Sequence, residues 1–595
     1  ASNTITANTV AASNAMATPQ LAVDDMIATN AIATLHLAVD DMVATNAVAS
    51  ASIASYDLMV LNAFAAKDSA VVSLSAETIT ADTITGGSAT DTLIITGGGT
   101  ALVAADLDKV TNFGTIRTAT DAAFSFTTHE NNAANGVTVA FDASSMTSNN
   151  LTFSAAAETD GGSYTVTAGG GGDNITLGSG ADTVKFASGK LTIGDTLDGR
   201  GGSDTIKLTA SSSIADADLT NVTNTENLTL DNLSHNLTLV MGTEALGAGL
   251  TSVTTGTGTN SITIGSGYTG ALNIALGAGT DTVNGSGQSS GSLTVTIDQD
   301  SITTADTITG GSATDTLTIT SGASAGALLA ADLDKVTSLS TIQTAGNNAF
   351  GITTHDNNVA SGQTVTFNAN SLTSAVLTFD ATAETNGKYV LTATGSGDHV
   401  ITTSAGADTI TTGAGANTII AGNGADTITT AGGADIIKWT GVNAGQLATE
   451  SGTTEDTDQD FSAGSAGDKI ADFTSGTDKL HFAAAALTNE LGTEADALKT
   501  IAAGGTVADT DRFVEITGAL ANGQMGTAIT ALNGLTTTSV AIGDSFLAFL
   551  NDSTNGYLYM VQQASAADTI AAADVTLIAQ LTNVTNVADG DFVTF

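Results

Sequence analysis

Hydrophobic and polar positions alternate with period two in short runs through most of the chain, as in Leu228-Thr-Leu230 and Leu237-Thr-Leu239. Runs of this kind, rich in Thr, Val and Ile, predict short half-buried strands. Between residues 404 and 439 the pattern tightens to a period of nine: Ser404-Ala-Gly406-Ala-Asp408-Thr-Ile410, Gly413-Ala-Gly415-Ala-Asn417-Thr-Ile419, Gly422-Asn-Gly424-Ala-Asp426-Thr-Ile428 and Ala431-Gly-Gly433-Ala-Asp435-Ile-Ile437. Glycines permit a tight turn, the Asp carboxylate and loop carbonyls suit a hard cation, and the aliphatic residue enters a core. If each nonapeptide gives one turn and one strand, two complete a coil. Loops 18 residues apart then share an edge, with Asp408 over Asp426 and Asn417 over Asp435. Stacked carboxylates repel unless a cation joins them, and the Asn417 pair, one charge short, should hold Ca²⁺ more weakly.

The first 70 residues follow another pattern. They contain no Gly, the first being Gly86, and Leu21-Ala-Val-Asp-Asp-Met-Ile-Ala-Thr-Asn-Ala-Ile-Ala-Thr34 returns 16 residues later as Leu37-Ala-Val-Asp-Asp-Met-Val-Ala-Thr-Asn-Ala-Val-Ala-Ser50. High Ala and absent Gly predict helices here, with Pro19 near a helix start and Asp24 and Asp25 in a first turn. Such a segment serves either as a cap on a solenoid or as an anchoring or polymerising head.

Beyond it the chain is internally duplicated. Thr80-Ala-Asp82-Thr-Ile-Thr-Gly-Gly-Ser-Ala-Thr-Asp91-Thr-Leu reappears as Thr304-Ala-Asp306-Thr-Ile-Thr-Gly-Gly-Ser-Ala-Thr-Asp315-Thr-Leu, and the copy continues through Thr127-Thr-His129 and Thr353-Thr-His355, then Ala157-Glu-Thr159 and Ala383-Glu-Thr385. A diverged third unit starts at Asp195-Thr-Leu-Asp-Gly-Arg-Gly-Gly-Ser-Asp204. The expected fold class is mainly β, an elongated series of β-solenoid or parallel β-roll modules with a small N-terminal helical domain. The expected divisions are a head at 1–72, β modules at 73–194, 195–305 and 306–397, the roll at 398–440, and a C-terminal segment at 441–595.

At the module junctions Asp173 and Asp182 are nine apart, as are Asp195 and Asp204, with a 22-residue offset that stacks Asp173 on Asp195 and Asp182 on Asp204 in a lengthened coil. Asp281 precedes Asp306 and Asp315, with Asn260 and Thr269 in place of earlier aspartates. The candidate metal ligands are therefore Asp82, Asp91, Asp173, Asp182, Asp195, Asp204, Asp281, Asp306, Asp315, Asp398, Asp408, Asn417, Asp426 and Asp435, with several Ca²⁺ ions as the expected cofactor.

Composition narrows the partners. Sixty acidic residues face 14 Lys plus Arg, a net charge of −46, which repels nucleic acid and anionic membranes and favours divalent cations. The chain has no Cys, so no disulfide locks it in an oxidising compartment, and calcium is the natural substitute. No apolar run reaches the ~18 residues of a membrane-spanning helix. The first cationic side chain is Lys67, so no N-terminal secretory signal is visible.

These repeats resemble those of the RTX family, secreted by Gram-negative bacteria. The similarity extends to Gly467-Asp-Lys-Ile-Ala-Asp472-Phe-Thr-Ser-Gly476-Thr-Asp478-Lys-Leu480, which is similar to the D-x-I-x-D-F-x-x-G-x-D-x-U segment that follows the last roll in many such proteins. Asp589-Gly-Asp591-Phe-Val-Thr-Phe595 resembles the acidic-then-apolar tail read by type I secretion machinery. The family includes proteases, lipases, toxins, adhesins and S-layer proteins, so function must come from what accompanies the rolls.

Catalytic patterns are incomplete. His129-Glu130 opens an H-E-x-x-H that lacks its second His, and the six histidines (36, 129, 235, 355, 399, 481) stand singly. G-x-S-x-G around Ser289 and Ser324 lacks a strand-turn-helix context, and Gly265-Ser-Gly267-Tyr-Thr-Gly270 has no helix after it. Asp456, Asp458 and Asp460, with Glu450 and Glu455 nearby, begin like an EF-hand but have Phe461 at the Gly position and Gly467 at that of the bidentate Glu. An irregular calcium site and a solvated acidic linker both fit. The resulting expectation is no enzyme but a secreted, calcium-dependent structural protein at the cell surface, self-assembling as an S-layer-like lattice. The alternative is an adhesin or matrix filament subunit with these modules as a stalk. Residues 1–70 are expected, from the resemblance, to hold surface polysaccharide.

Overall fold

A computed structural model describes most of the chain. Of residues 1–70 it describes eight strand segments, and of 71–450 all but 80–82, 87–89, 98–99, 233, 312–313, 323–325 and 442–443. Of 451–595 it describes all but 451–466, 488–494, 503–504, 509–510, 520–527, 529, 533–535, 539–543, 564–569 and 571–573. The chain divides into two compact units, Ala1–Gly291 and Ser292–Phe595.

Each unit is a parallel β-solenoid. In the first, one ladder runs from Val71–Ser75 through Thr92–Thr96, Thr115–Thr118, Thr138–Asp142, Ser163–Thr167, Thr183–Phe186, Thr205–Leu208 and Asn227–Leu230 to Ser252–Thr254 and Ala271–Ala275. Each coil returns a second strand to a facing sheet, for example Phe124–Thr127, Leu151–Ser154, Asn174–Thr176 and Thr196–Asp198. Registers place like on like: Val166 lies beside Val184, Val184 beside Ile206, and Ile206 beside Leu228, all buried. The period-two pattern is thus a coil pattern, its inward residues meeting the equivalent residue of the next coil. Phe126, Phe141, Phe153 and Tyr164 thicken this core, with ring centroids 4.8–5.5 Å apart.

The second unit repeats the plan. Its long ladder includes Ser292–Asp298, Thr316–Thr320, Thr341–Ala345, Thr364–Asn368, Lys388–Ala393, Thr409–Thr412, Thr427–Thr429 and Asp468–Ile470. Val575–Leu581 joins the same edge in parallel, and pairs antiparallel with Gly556–Gln562, which pairs antiparallel with Ser545–Asn551. These last strands are buried on both faces, so they read as continuous apolar runs rather than as an alternation. Phe592–Thr594 pairs with Lys479–Phe482 as a last rung of the facing sheet.

The helical head is corrected. The described residues before Val71 are strands, including Gln20–Ala22, Asp25–Ala28, Leu35–Ala38 and Asp41–Ala44. Their parallel registers set Leu21 beside Leu37, Asp25 beside Asp41 and Met26 beside Met42. The 16-residue repeat is the length of a coil, and stacking identical coils in register outweighs the helix propensity of Ala. Pro19 lies outside the described residues.

Candidate metal centres

The residue that precedes or opens each strand sets the chemistry of the coil edge. Its side chain reaches back one coil and accepts the backbone N–H of its own counterpart. In the first unit the Asp173 amide donates to Asp195 Oδ1 (2.8 Å), the Asp182 amide to Asp204 Oδ1 (2.8 Å), and the Asp204 amide to Glu226 Oε2 (2.8 Å). In the second unit the Tyr389 amide donates to Asp408 Oδ1 (2.7 Å), the Asp408 amide to Asp426 Oδ1 (2.7 Å), and the Asp426 amide to Asp468 Oδ1 (3.0 Å). On the facing edge His399 donates to Asn417 Oδ1, Asn417 to Asp435 Oδ1, and Asp435 to Asp478 Oδ1, at 2.8–3.1 Å. A short carboxylate at this position satisfies an amide that a coil edge would otherwise leave buried without an acceptor.

The second oxygens divide the rungs into two kinds. Asp173 Oδ2 accepts from the Gly169 amide (2.9 Å), Asp182 Oδ2 from Gly178 (3.0 Å), and Asp478 Oδ2 from Thr474 (2.7 Å). Asp195 Oδ2 takes the amide and hydroxyl of Thr192, and Asp306 Oδ2 those of Thr303. The Oδ2 atoms of Asp204, Asp408 and Asp426 have no hydrogen-bond partner, although each residue is only 1 % exposed. Burial pushes Asp173 and Asp408 up to about 6 and Asp204 to about 7, and raises Asp182 and Asp478. Burial and then the charge of Asp468 raise Asp426, and burial drives Asp468 well above the carboxylate range. Trp439 Nε1 donates to Asp468 Oδ2 at 2.8 Å while its ring stacks on Phe482.

A buried carboxylate with an unpartnered oxygen must take a proton or a cation. Asp408 and Asp426, with the carbonyls of Gly-rich loops beside them, form an all-oxygen set that suits Ca²⁺, whose double charge would remove both the repulsion and the desolvation penalty. Glycine is needed at these loops: Gly424 has φ +139°, and a Cβ there would lie 2.0 Å from the Gly406 carbonyl oxygen one coil away. Gly424→Ala is expected to cost roughly 2–4 kcal/mol in calcium-loaded thermal melts. At Gly432, where a Cβ meets nothing within 4 Å, Ala is expected to be neutral within ~0.5 kcal/mol.

Asn417 replaces the cation with its own amide. Its Nδ2 donates to the carbonyls of Gly413 (3.1 Å) and Gly415 (2.8 Å) and to Asp435 Oδ1 (2.9 Å). Asn260 does the same toward Gly258 O (3.1 Å) and Asp281 Oδ1 (2.8 Å). Around Asn417 two loop carbonyls and a carboxylate thus share the two N–H groups of one amide.

Among the remaining candidates, Asp91 is buried ahead of Thr92–Thr96, and its carbonyl accepts the Gly114 and Thr115 amides. Asp315 Oδ1 accepts the Leu293 amide at 2.9 Å. Asp398 is exposed and accepts the Ala416 amide (2.7 Å), while His399 occupies the edge position, its Nδ1 accepting from Leu377. Asp82 lies outside the described residues, as do Glu455, Asp456, Asp458, Asp460 and Ser324. Glu450 is buried and accepts the Thr440 and Gly441 amides, each at 2.8 Å.

Asp468, Asp478 and Glu226 act as rungs missing from the sequence-based candidates; Glu226 follows Asp204 by the same 22 residues as the preceding rungs, so the spacing could have found it once Glu was allowed in place of Asp. Asp468 and Asp478 follow their partners by 42 and 43 residues because residues 441–466 intervene; the surviving signal is the Asp-Lys-Ile and Asp-Lys-Leu pattern. His129 and His355 each accept an amide two residues on, from Asn131 and Asn357, at the start of a short 3₁₀ turn. The next residues, Asn132 and Asn358, bridge to backbone carbonyls of the preceding coil. Both histidines therefore serve as turn caps, and Ser289 is exposed in a loop.

Residues 402–437 match the model of the RTX calcium-binding nonapeptide repeat, in four copies. These repeats bind several Ca²⁺ ions and are typical of secreted proteins, and the β-roll they build is a structural fold. Among the described residues no helix is long and apolar enough to cross a membrane. A search of curated proteins returned no match to the chain.

Proposed function

We propose that this protein is a secreted structural subunit that locks on meeting external calcium and assembles with copies of itself on the cell surface, as an S-layer-like lattice. The observation that carries this reading is the ladder of buried carboxylates within repetitive coils: it holds the fold only where calcium is plentiful. Extracellular calcium modules bind at about 10⁻⁴–10⁻³ M, so the cytosol leaves the chain unlocked and fit to cross the envelope unfolded. The 589–595 tail, proposed as the export signal, is folded into the last rung: Asp591 accepts from Ser475 Oγ (2.7 Å) and the Gly476 amide (2.8 Å). Its recognition therefore has to precede folding. Residues 1–70 are assigned to attachment, with surface polysaccharide as partner.

Negative-stain microscopy of the purified full chain tests the assembly. Ordered sheets at about 5 mM calcium that disperse in EGTA are the expected result. Filaments instead of sheets would favour the matrix-filament reading, and a chain that stays monomeric in calcium would end both. Deleting residues 1–70 is expected to release protein into the medium without blocking export. An ordered layer still coating the cells would place the anchor elsewhere.

A further inference from the structure

The first unit holds a second kind of acidic cluster, outside the nonapeptide matches and built from two successive coils. Glu130 stands in the turn just after His129; Glu158 and Asp160 stand at the equivalent edge of the next coil. One oxygen from each carboxylate lies within 4.8 Å of the others. Three atoms within that span of one another lie no more than about 2.8 Å from a common centre, so a shift of a few tenths of an ångström in the side chains brings all three to the ~2.3–2.6 Å of calcium–oxygen bonds, whereas the shorter bonds of Mg²⁺, about 2.1 Å, would need a larger collapse.

Glu158 is the independent indication. It is 1 % exposed, yet neither carboxylate oxygen has a hydrogen-bond partner. Its neighbours do not relieve it: Glu130 accepts from the Thr159 hydroxyl (3.1 Å), and Asp160 Oδ1 accepts from the Gly162 amide (3.1 Å). Burial first, then Asp160 and Glu130, push Glu158 up to about 7. Two unsatisfied oxygens on one buried carboxylate cost far more than an ordinary lost hydrogen bond unless a cation or proton takes them.

The duplicated loop in the second unit is an internal control. There Asp356, Glu384 and Asn386 stand in place of Glu130, Glu158 and Asp160. Glu384 Oε1 accepts the amides of Asn386 (3.0 Å) and Gly387 (2.8 Å), and Asp356 Oδ1 accepts the Thr385 amide and hydroxyl. One carboxylate is lost, and backbone donors close on one Glu384 oxygen.

We propose that Glu130, Glu158 and Asp160 form a calcium site of the first unit, distinct from the nonapeptide ladder and lacking a counterpart in the second unit. Two carboxylates from one coil and one from the preceding coil would be clamped by it. The site makes no use of the assembly proposed above, and its test is a count of ions rather than of particles.

Equilibrium dialysis of the full chain at about 1 mM free calcium reads that count. Glu158→Gln, isosteric and neutral, is expected to bind close to one ion fewer than the unaltered protein. Asp160→Asn, an exposed change that copies the second unit, is expected to weaken the site about tenfold and lower the count by roughly 0.4 of an ion, the occupancy difference at about 1 mM calcium between sites of about 10⁻⁴ and 10⁻³ M. If Glu158→Gln fails to fold, the Asp160→Asn count decides alone. Counts equal to that of the unaltered protein in the folded variants overturn the assignment and leave Glu158 as a protonated core residue.

Discussion

Stripping calcium with EGTA at pH 7.5 is expected to unfold the nonapeptide roll first, with amide protection lost in Thr409–Thr412 and Thr427–Thr429 before the aromatic core of the first unit. In those coils the Asp408 and Asp426 Oδ2 atoms are buried without partners, and the Asp426–Asp468 pair compounds the repulsion. The Phe126, Phe141, Phe153 and Tyr164 stack is held by apolar burial, which persists even where the ion proposed at Glu158 is stripped from the coil edge. At calcium ten to a hundred times Kd each site contributes roughly 1.4–2.7 kcal/mol, so several sites lost together exceed a typical stability margin. Hydrogen exchange with and without EGTA is the measurement. Unchanged protection in 409–429 would remove calcium from the account of this fold.

The same carboxylates give the metal-free protein an inverted pH response. Asp408 and Asp204 have folded values of about 6 and about 7, above the 3.8 of an unperturbed aspartate, so the folded state holds a proton that the unfolded chain has released. Their contribution is fully present below pH ~4 and is lost as pH rises through 6 and 7, a cost on the order of 3 kcal/mol for the two-unit shift of Asp408. In EGTA, the melting temperature at pH 5 is therefore expected to exceed that at pH 7.5. In calcium the order reverses, because protons compete with the ion for the same oxygens. Melting curves at the two pH values, in both media, check the sign.

What could be read in the sequence follows from how directly a spacing reports a contact. The pairs Asp408–Asp426 and Asp173–Asp195 recur at 18 and 22 residues, and the backbone joins them through single hydrogen bonds at those separations. Asp468 and Asp478 perform the same task, but an intervening segment erases the period, leaving only a two-residue echo of the strand start. The head misleads for another reason. Its Ala-rich, Gly-free composition carries a real local preference for helix, while the 16-residue repetition carries the register, and identical coils stacked in parallel gain more than isolated helices do. Glu158 has no motif at all: its partner Glu130 sits on the preceding coil, and its significance comes from burial, which no spacing displays.

Replacing Asp426 with Asn is expected to convert a calcium-dependent rung into a calcium-independent one. Asn417 already shows how: from the equivalent position its amide donates to Gly413 O, Gly415 O and Asp435 Oδ1. The substituted amide at 426 would meet the corresponding Gly422 and Gly424 carbonyls and Asp468, while its own oxygen keeps the Asp408 amide now held at 2.7 Å. The buried carboxyl and its orphaned oxygen disappear together, and with them the repulsion by which Asp468 raises Asp426. In EGTA, Asp426→Asn should therefore be more stable than the unaltered protein by roughly 1–3 kcal/mol. Asp426→Ala, which leaves the Asp408 amide without an acceptor, should be less stable by a similar amount. In about 5 mM calcium the unaltered protein should lead both variants, because it alone keeps the ions bound there. Calorimetry of the three proteins in the two media gives the ranking. If Asp426→Asn gains nothing in EGTA, then the orphaned carboxylate is not what makes the metal-free roll weak.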